Sequence, residues 1–206
     1  MTRFLLISCL FFLFISCKSF VLPGATKMDS KSIECQNHYF SNSEADYIYK
    51  AHIEVYGNDL SGLFVIKKTS DSIHRVVLTT DFGNKLLDFE LSENYFKVNY
   101  ILDNLNKKII ISTLKKDFRL LLRKEFISSE VFENESYIIY KSKDGNSYNY
   151  FYQTKNDSTF IKLINASKTK EKVVFTFTPK NATFANSILI EHYNIKLKIE
   201  LNQISN

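Results

Sequence analysis

The sequence has no tryptophan, only two prolines and five glycines, and three cysteines. Each shortage narrows the reading. So little Gly and Pro argues against a flexible linker, a collagen-like tract or a long disordered region. There is no Gly-rich phosphate loop, no Gly-x-Ser-x-Gly elbow and no carboxylate pair at a fixed local spacing. His38, His52, His74 and His192 are scattered, with no two at helical or metal-ligand spacing. These gaps point away from an enzyme and away from a bound metal or cofactor. No apolar run reaches the ~20 residues that a membrane-spanning helix needs; residues 4–15 are too few. The formal net charge of +5 is spread along the chain. It favours contact with anionic lipid and is too diffuse for a nucleic-acid partner.

What the sequence does hold suits one domain of 206 residues with a core of its own. Twelve tyrosines and eighteen phenylalanines bring the aromatic fraction to 15%, which favours sheet.

The amino-terminal stretch reads as an export signal, with Arg3 as its positive end and residues 4–15 as its apolar run. It closes on Leu13-Phe14-Ile15-Ser16-Cys17. That string resembles a bacterial lipobox, although Phe14 stands where Leu is preferred. The resemblance implies removal of residues 1–16 and acylation of Cys17, a permanent anchor at about 0.8 kcal/mol per buried methylene. Cys9 would leave with the signal, so Cys35 is the one thiol left free and no internal disulfide is expected. Lys18 and Ser19 after the Cys include no Asp of the kind that retains lipoproteins at the inner membrane. The expected address is therefore the outer membrane, facing the periplasm.

Residues 17–45 are polar and without clear period, which predicts a lipidated tether with at most a helical turn at 41–44. Strands are expected at 51–56, three times over within 60–91, and at 95–101. The period then lengthens. Leu105, Ile109, Leu114, Phe118 and Leu121 recur at spacings of three to five among Lys107, Lys108, Ser112, Lys115, Lys116 and Arg119. This predicts an amphipathic helix of roughly 18 residues, N-capped by Asp103 or Asn104. Period two resumes at 137–142, 147–154, 159–165, 173–178, 187–193 and 195–201. The turn around Asp144-Gly145 marks a hairpin. The expected fold is mainly β (α+β): a single curved antiparallel sheet of about ten strands, lidded by one helix, over residues 46–206.

Within this pattern, Thr80-Asp81-Phe82-Gly83 places an apolar ring among turn formers, where a hairpin normally carries polar residues and Gly. Two strands, Thr-Thr-Asp-Phe-Gly, two further strands and a helix together resemble the lipoprotein-localisation proteins LolA and LolB. In that family an incomplete antiparallel β-barrel lidded by helices encloses an apolar cavity for lipoprotein acyl chains. The lipobox and the Phe82-Gly83 hairpin resemble the LolB branch, in which an exposed apolar residue before Gly helps transfer cargo into the membrane. Asp81 departs from the turn Pro of the family, and its Trp-rich amino-terminal region has no counterpart here.

The resemblance implies Phe82 and Gly83 as a membrane-insertion loop. Leu87, Phe89, Leu91, Phe175, Phe177, Ile188, Ile190, Leu197 and Ile199 would form the sheet wall of an acyl cavity, with Ile109, Leu114 and Phe118 on the lid. The implied partners are lipoprotein acyl chains, outer-membrane phospholipid and a soluble LolA-like periplasmic carrier. The rival expectation is a lipid-anchored binding or scaffolding protein that holds another hydrophobic ligand or a protein partner.

Overall fold

A computed structural model of the chain describes residues 20–29 and 33–204. The strands in chain order are β1 (Thr26–Lys27), β2 (Glu34–Gln36), β3 (Asp46–Val55), β4 (Asn58–Lys68), β5 (His74–Thr79), β6 (Lys85–Leu91) and β7 (Phe96–Ile101). After a 3-10 turn (Asp103–Leu105) and the helix α1 (Lys108–Leu122) come β8 (Glu125–Ile127), β9 (Glu130–Glu133), β10 (Tyr137–Asp144) and β11 (Ser147–Thr154). β12 (Phe160–Ala166), β13 (Glu171–Pro179), β14 (Ala185–His192) and β15 (Leu197–Gln203) follow.

Thirteen strands form one antiparallel sheet in the order β1-β9-β10-β11-β12-β13-β14-β15-β3-β4-β5-β6-β7. It is mainly β, as expected, but it does not close: β1 and β7 are its two edges. β2 and β8 make a separate two-stranded ribbon. The central seam is β15 against β3, with Leu197 opposite Val55 and Gln203 opposite Tyr49.

Alternation along the strands assigns the two faces. Val173, Phe175 and Phe177 enter the larger core together with Tyr47, Tyr49, Ile53, Phe64, Ile66, Val76, Leu78, Ile188, Ile190, Leu197 and Ile199. The intervening Val174, with Ile139, Tyr150, Ile164 and Ala166, faces the other way into a smaller cluster.

α1 covers the larger face. Ile110, Leu114, Phe118 and Leu121 are buried at spacings of four, four and three, one stripe of a 3.6-residue helix. The Phe118 ring lies 5.5 Å from that of Phe64 and 6.3 Å from that of Phe89. The helix is shorter than the expected 18 residues and is capped by the backbone at Lys107, without a side-chain bond. Asp103 and Asn104 are instead taken into the 3-10 turn.

The expected tether is the largest correction. Phe20, Leu22 and Ala25 pack on the outer face of β10–β13, and the Phe20 ring sits 5.0 Å from Tyr150. β1 pairs with β9 and β2 with β8. Tyr39 and Phe40 are buried in the main core, with Tyr39 stacked on Phe177 at 5.1 Å. At 41–44 the chain makes a turn held by Asn42 Oδ1, which accepts from the Glu44 N–H at 3.0 Å; there is no helix. Hiding an apolar outer face stabilises the sheet, and the amino-terminal segment supplies the cover.

Gly62 marks a close approach of backbones. A Cβ there would lie 1.7 Å from the Thr79 carbonyl oxygen and 2.9 Å from Thr80 Cα. The register shift between Leu78 and Thr79 lies at the same place. Gly62→Ala should therefore lower stability by about 1–3 kcal/mol, read as a drop in thermal midpoint.

On the opposite face of β6, the fully buried Asp88 accepts from Arg75 Nε at 2.9 Å and Nη2 at 2.7 Å, and from Lys85 Nζ at 2.7 Å. The Arg75 bonds, helped by Lys85 and Asn99 and opposed by burial, hold its carboxyl well below the usual carboxylate range. A depressed carboxylate stabilises the fold above its unfolded pKa, and that contribution fades as pH falls towards the folded value. Thermal midpoint should rise with pH between about 2 and 5 for the natural chain and rise less for Asp88→Asn.

Candidate membrane-facing hairpin and the interior behind it

The loop at 80–84 is fastened by hydrogen bonds on either side of Phe82. The Thr80 N–H donates to the Asn84 carbonyl at 2.8 Å, and the Gly83 N–H to the Thr80 carbonyl at 2.9 Å. The Asn84 N–H donates to Thr80 Oγ1 at 3.1 Å. Asp81 pairs with Lys50 on β3. Gly83 adopts φ 85°, a left-handed backbone that a side chain would disfavour. The Phe82 ring crowns this frame with 94% of its surface exposed. An exposed ring on a hydrogen-bonded tip can leave water for a lipid phase without breaking any contact of the fold.

The interior differs from the expected cavity. Phe89, Phe118, Phe175, Ile190 and Ile199 have no accessible surface at all, and Leu87, Leu91, Leu114, Phe177, Ile188 and Leu197 have at most 4%. These side chains belong to one continuous buried cluster and pack on one another. Ile109 is 54% exposed and takes no part in the lid. It lies about 140° around the helix from Leu114, whereas Ile110 lies about 40° from it and is buried in its place. Eleven of the twelve expected lining residues are thus brought together, around filled rather than open space. Cys17 lies outside the described residues.

A cleft of about 600 Å³ opens elsewhere, between the end of α1, the β4–β5 and β6–β7 turns, and residues 39–41. Leu91 is the one expected lining residue that reaches it. Tyr39, Phe40 and Leu122 give it apolar walls, and Lys68, Asp71, Glu93, Arg119, Arg123, Lys124 and Glu125 charge its rim. Arg119 ties the helix to the turn through Nε to the Ser92 carbonyl at 3.0 Å and Nη2 to the Tyr95 carbonyl at 3.2 Å. Burial lowers the His74 imidazole pKa, opposed by a bond with the Phe40 backbone and reinforced by Lys68. The charges at this cleft are mixed in sign and select no ligand.

Two further groups are not visible in the sequence. His192 Nε2 on β14 and Asp117 Oδ2 on α1 lie 2.8 Å apart, both side chains almost wholly buried. Burial pushes the Asp117 carboxyl pKa up, and the contact with His192 pulls it the other way. Their separation of 75 positions leaves no local signal. Cys35 is buried, and burial pushes its thiol pKa up to about 12, which makes it a poor nucleophile. Among the described residues no three His, Cys, Asp or Glu side chains are grouped to hold a metal ion.

The buried pair clamps the helix to the sheet. Asp117→Ala should cost about 1–3 kcal/mol, because His192 then stays buried without its acceptor. The doubly substituted Asp117→Leu, His192→Leu chain should lose less than the two single changes together, measured by denaturant unfolding. No protein-family model, no curated protein and no solved structure matches the chain.

Proposed function

We propose that this is a non-catalytic lipoprotein, anchored in the outer membrane through Cys17, that works against the bilayer with the Phe82 hairpin. The observation that carries the reading is the almost complete exposure of Phe82 on a tip held rigid by Thr80, Gly83 and Asn84. Burying a phenylalanine ring of 150–200 Å² in lipid contributes about 4–5 kcal/mol. That suffices to hold a loop transiently in a membrane to which the chain is already tied.

By its resemblance to LolB, the chain would accept acylated lipoproteins from a LolA-like periplasmic carrier and release them into the outer membrane. In that version the antiparallel sheet with α1 is an incomplete β-barrel and its lid. Acyl chains would enter by lifting α1 from Phe64 and Phe89, since the resting interior is filled. The packed core favours a second reading, a lipid-anchored binding or scaffolding protein that meets another ligand or a protein partner at its surface. Both readings keep the hairpin at the membrane.

Transfer of a labelled lipoprotein from carrier to liposomes separates the two readings. The transfer reading expects transfer by the natural chain and a loss of most of it in Phe82→Glu, with little change in thermal midpoint because the ring is 94% exposed. Absence of transfer by the natural chain, together with one specific non-lipid molecule co-purifying with it, would select the binding protein instead.

A further inference from the structure

Successive antiparallel strands put every second hairpin at the same end of the sheet. The pairings place five tips at one end: Gly145-Asn146, Ser167 to Lys170, Tyr193 to Lys196, Tyr56-Gly57 and Thr80 to Asn84. The antiparallel β15–β3 seam, with Leu197 opposite Val55, keeps both halves of the sheet in this alignment. Three consecutive tips each carry an exposed aromatic ring: Tyr193 at 58%, Tyr56 at 41%, and Phe82. Tyr56 takes φ 47° and Gly57 φ 84°, so a two-residue turn that favours Asn, Asp or Gly carries a tyrosine in a left-handed conformation.

Lysines share this end. Lys85, Lys143, Lys168, Lys170 and Lys196 are exposed on or beside the tips, against Glu54, Asp59, Asp81 and Asp144; Asp81 is paired with Lys50 and Lys85 with Asp88. The opposite end is different. Its loops are Ser70-Asp71-Ser72, Ser92-Glu93-Asn94, Asn134-Glu135-Ser136, Lys155 to Ser158 and Lys180 to Phe184; they set Asp71, Glu93, Glu135 and Asp157 against Lys155 and Lys180, and Tyr95 is the exposed aromatic among them.

The amino-terminal segment arrives at the aromatic end. The Phe20 N–H donates to the Lys168 carbonyl at 2.7 Å. Cys17 precedes Phe20 by three residues, a maximum reach of about 10 Å. Acyl chains on Cys17 would therefore hold this end of the sheet, and not the other, against the membrane.

We infer that the rim formed by Tyr193, Tyr56 and Phe82 is the face that lies on a phospholipid bilayer, with its flanking lysines at anionic headgroups. Tyrosines suit the headgroup level, where a ring can be shielded while its hydroxyl stays wet, and phenylalanine suits the acyl region. The inference rests on the membrane reading given above but adds two tips and an orientation to it.

The absence of tryptophan makes the test direct. Single substitutions Tyr193→Trp, Tyr56→Trp, Phe82→Trp and Tyr95→Trp, each in the full acylated chain, give one fluorophore apiece. They would be reconstituted in phosphatidylethanolamine–phosphatidylglycerol vesicles with brominated acyl chains. The first three should shift to the blue and lose most of their emission, whereas Tyr95→Trp should emit as it does without bromine. Replacing phosphatidylglycerol by phosphatidylcholine should weaken quenching at Tyr193 and Tyr56. Quenching of Phe82→Trp alone would overturn the three-tip rim and leave the hairpin reading standing. Quenching of Tyr95→Trp as strong as the rest would overturn the orientation. The mass of the amino-terminal peptide reports acylation of Cys17 independently, so a missing anchor is distinguished from a rim that does not touch lipid.

Discussion

A thirteen-stranded sheet has two broad faces to keep from water, and this chain has one α-helix among its described residues with which to do it. Most of the architecture follows from that shortage. Phe118 of α1 sits between Phe64 and Phe89, and the strands on that side supply the large residues that close the space around it. The helix also reaches β14 through Asp117 and the β6–β7 turn through Arg119. These contacts make one helix serve strands from both halves of the sheet. Over β10–β13 the reverse face still needs shelter, and the segment from Phe20 to Lys27 gives it.

Shielding thus occupies the apolar strands and the helix, and the exposed rings lie elsewhere. Wide apolar strands would give an acyl-binding protein its walls, yet in the resting molecule the same strands satisfy one another. What remains accessible is peripheral: rings at hairpin tips and a cleft with charges of both signs beside the end of α1.

Much of the sheet is legible in the sequence because its signals are local. Leu197, Ile199 and Leu201 alternate with Lys198 and Glu200, and that pattern alone identifies β15 as a half-buried strand. Asp144-Gly145 marks the β10–β11 turn, and Gly145 adopts φ 56° there. Phe82 stands out as an apolar side chain among turn residues, and it is exposed. Short elements are not legible, because β1, β2, β8 and β9 have two to four residues and too few positions to show a period. Nor is the docking of Phe20, Tyr39 and Phe40, since isolated aromatics in a polar stretch give no hint of a distant face that needs covering. Periodicity misplaces Ile109 because three isoleucines in a row broaden a helical stripe, and only packing decides which of them faces inward.

The seam between β3 and β15 carries a consequence for how the molecule is made. Its partners lie 142 to 154 positions apart (197 − 55 and 203 − 49), while nearly every other pairing in the large sheet joins strands adjacent in the chain. Loop closure over that distance is slow, so the two meanders can each assemble before they meet. Until they do, β3 presents ten residues of unpaired backbone, the kind of edge that recruits a second chain. Conditions that delay the meeting should give aggregates zipped along β3, and a chaperone that shields one strand would rescue the whole sheet.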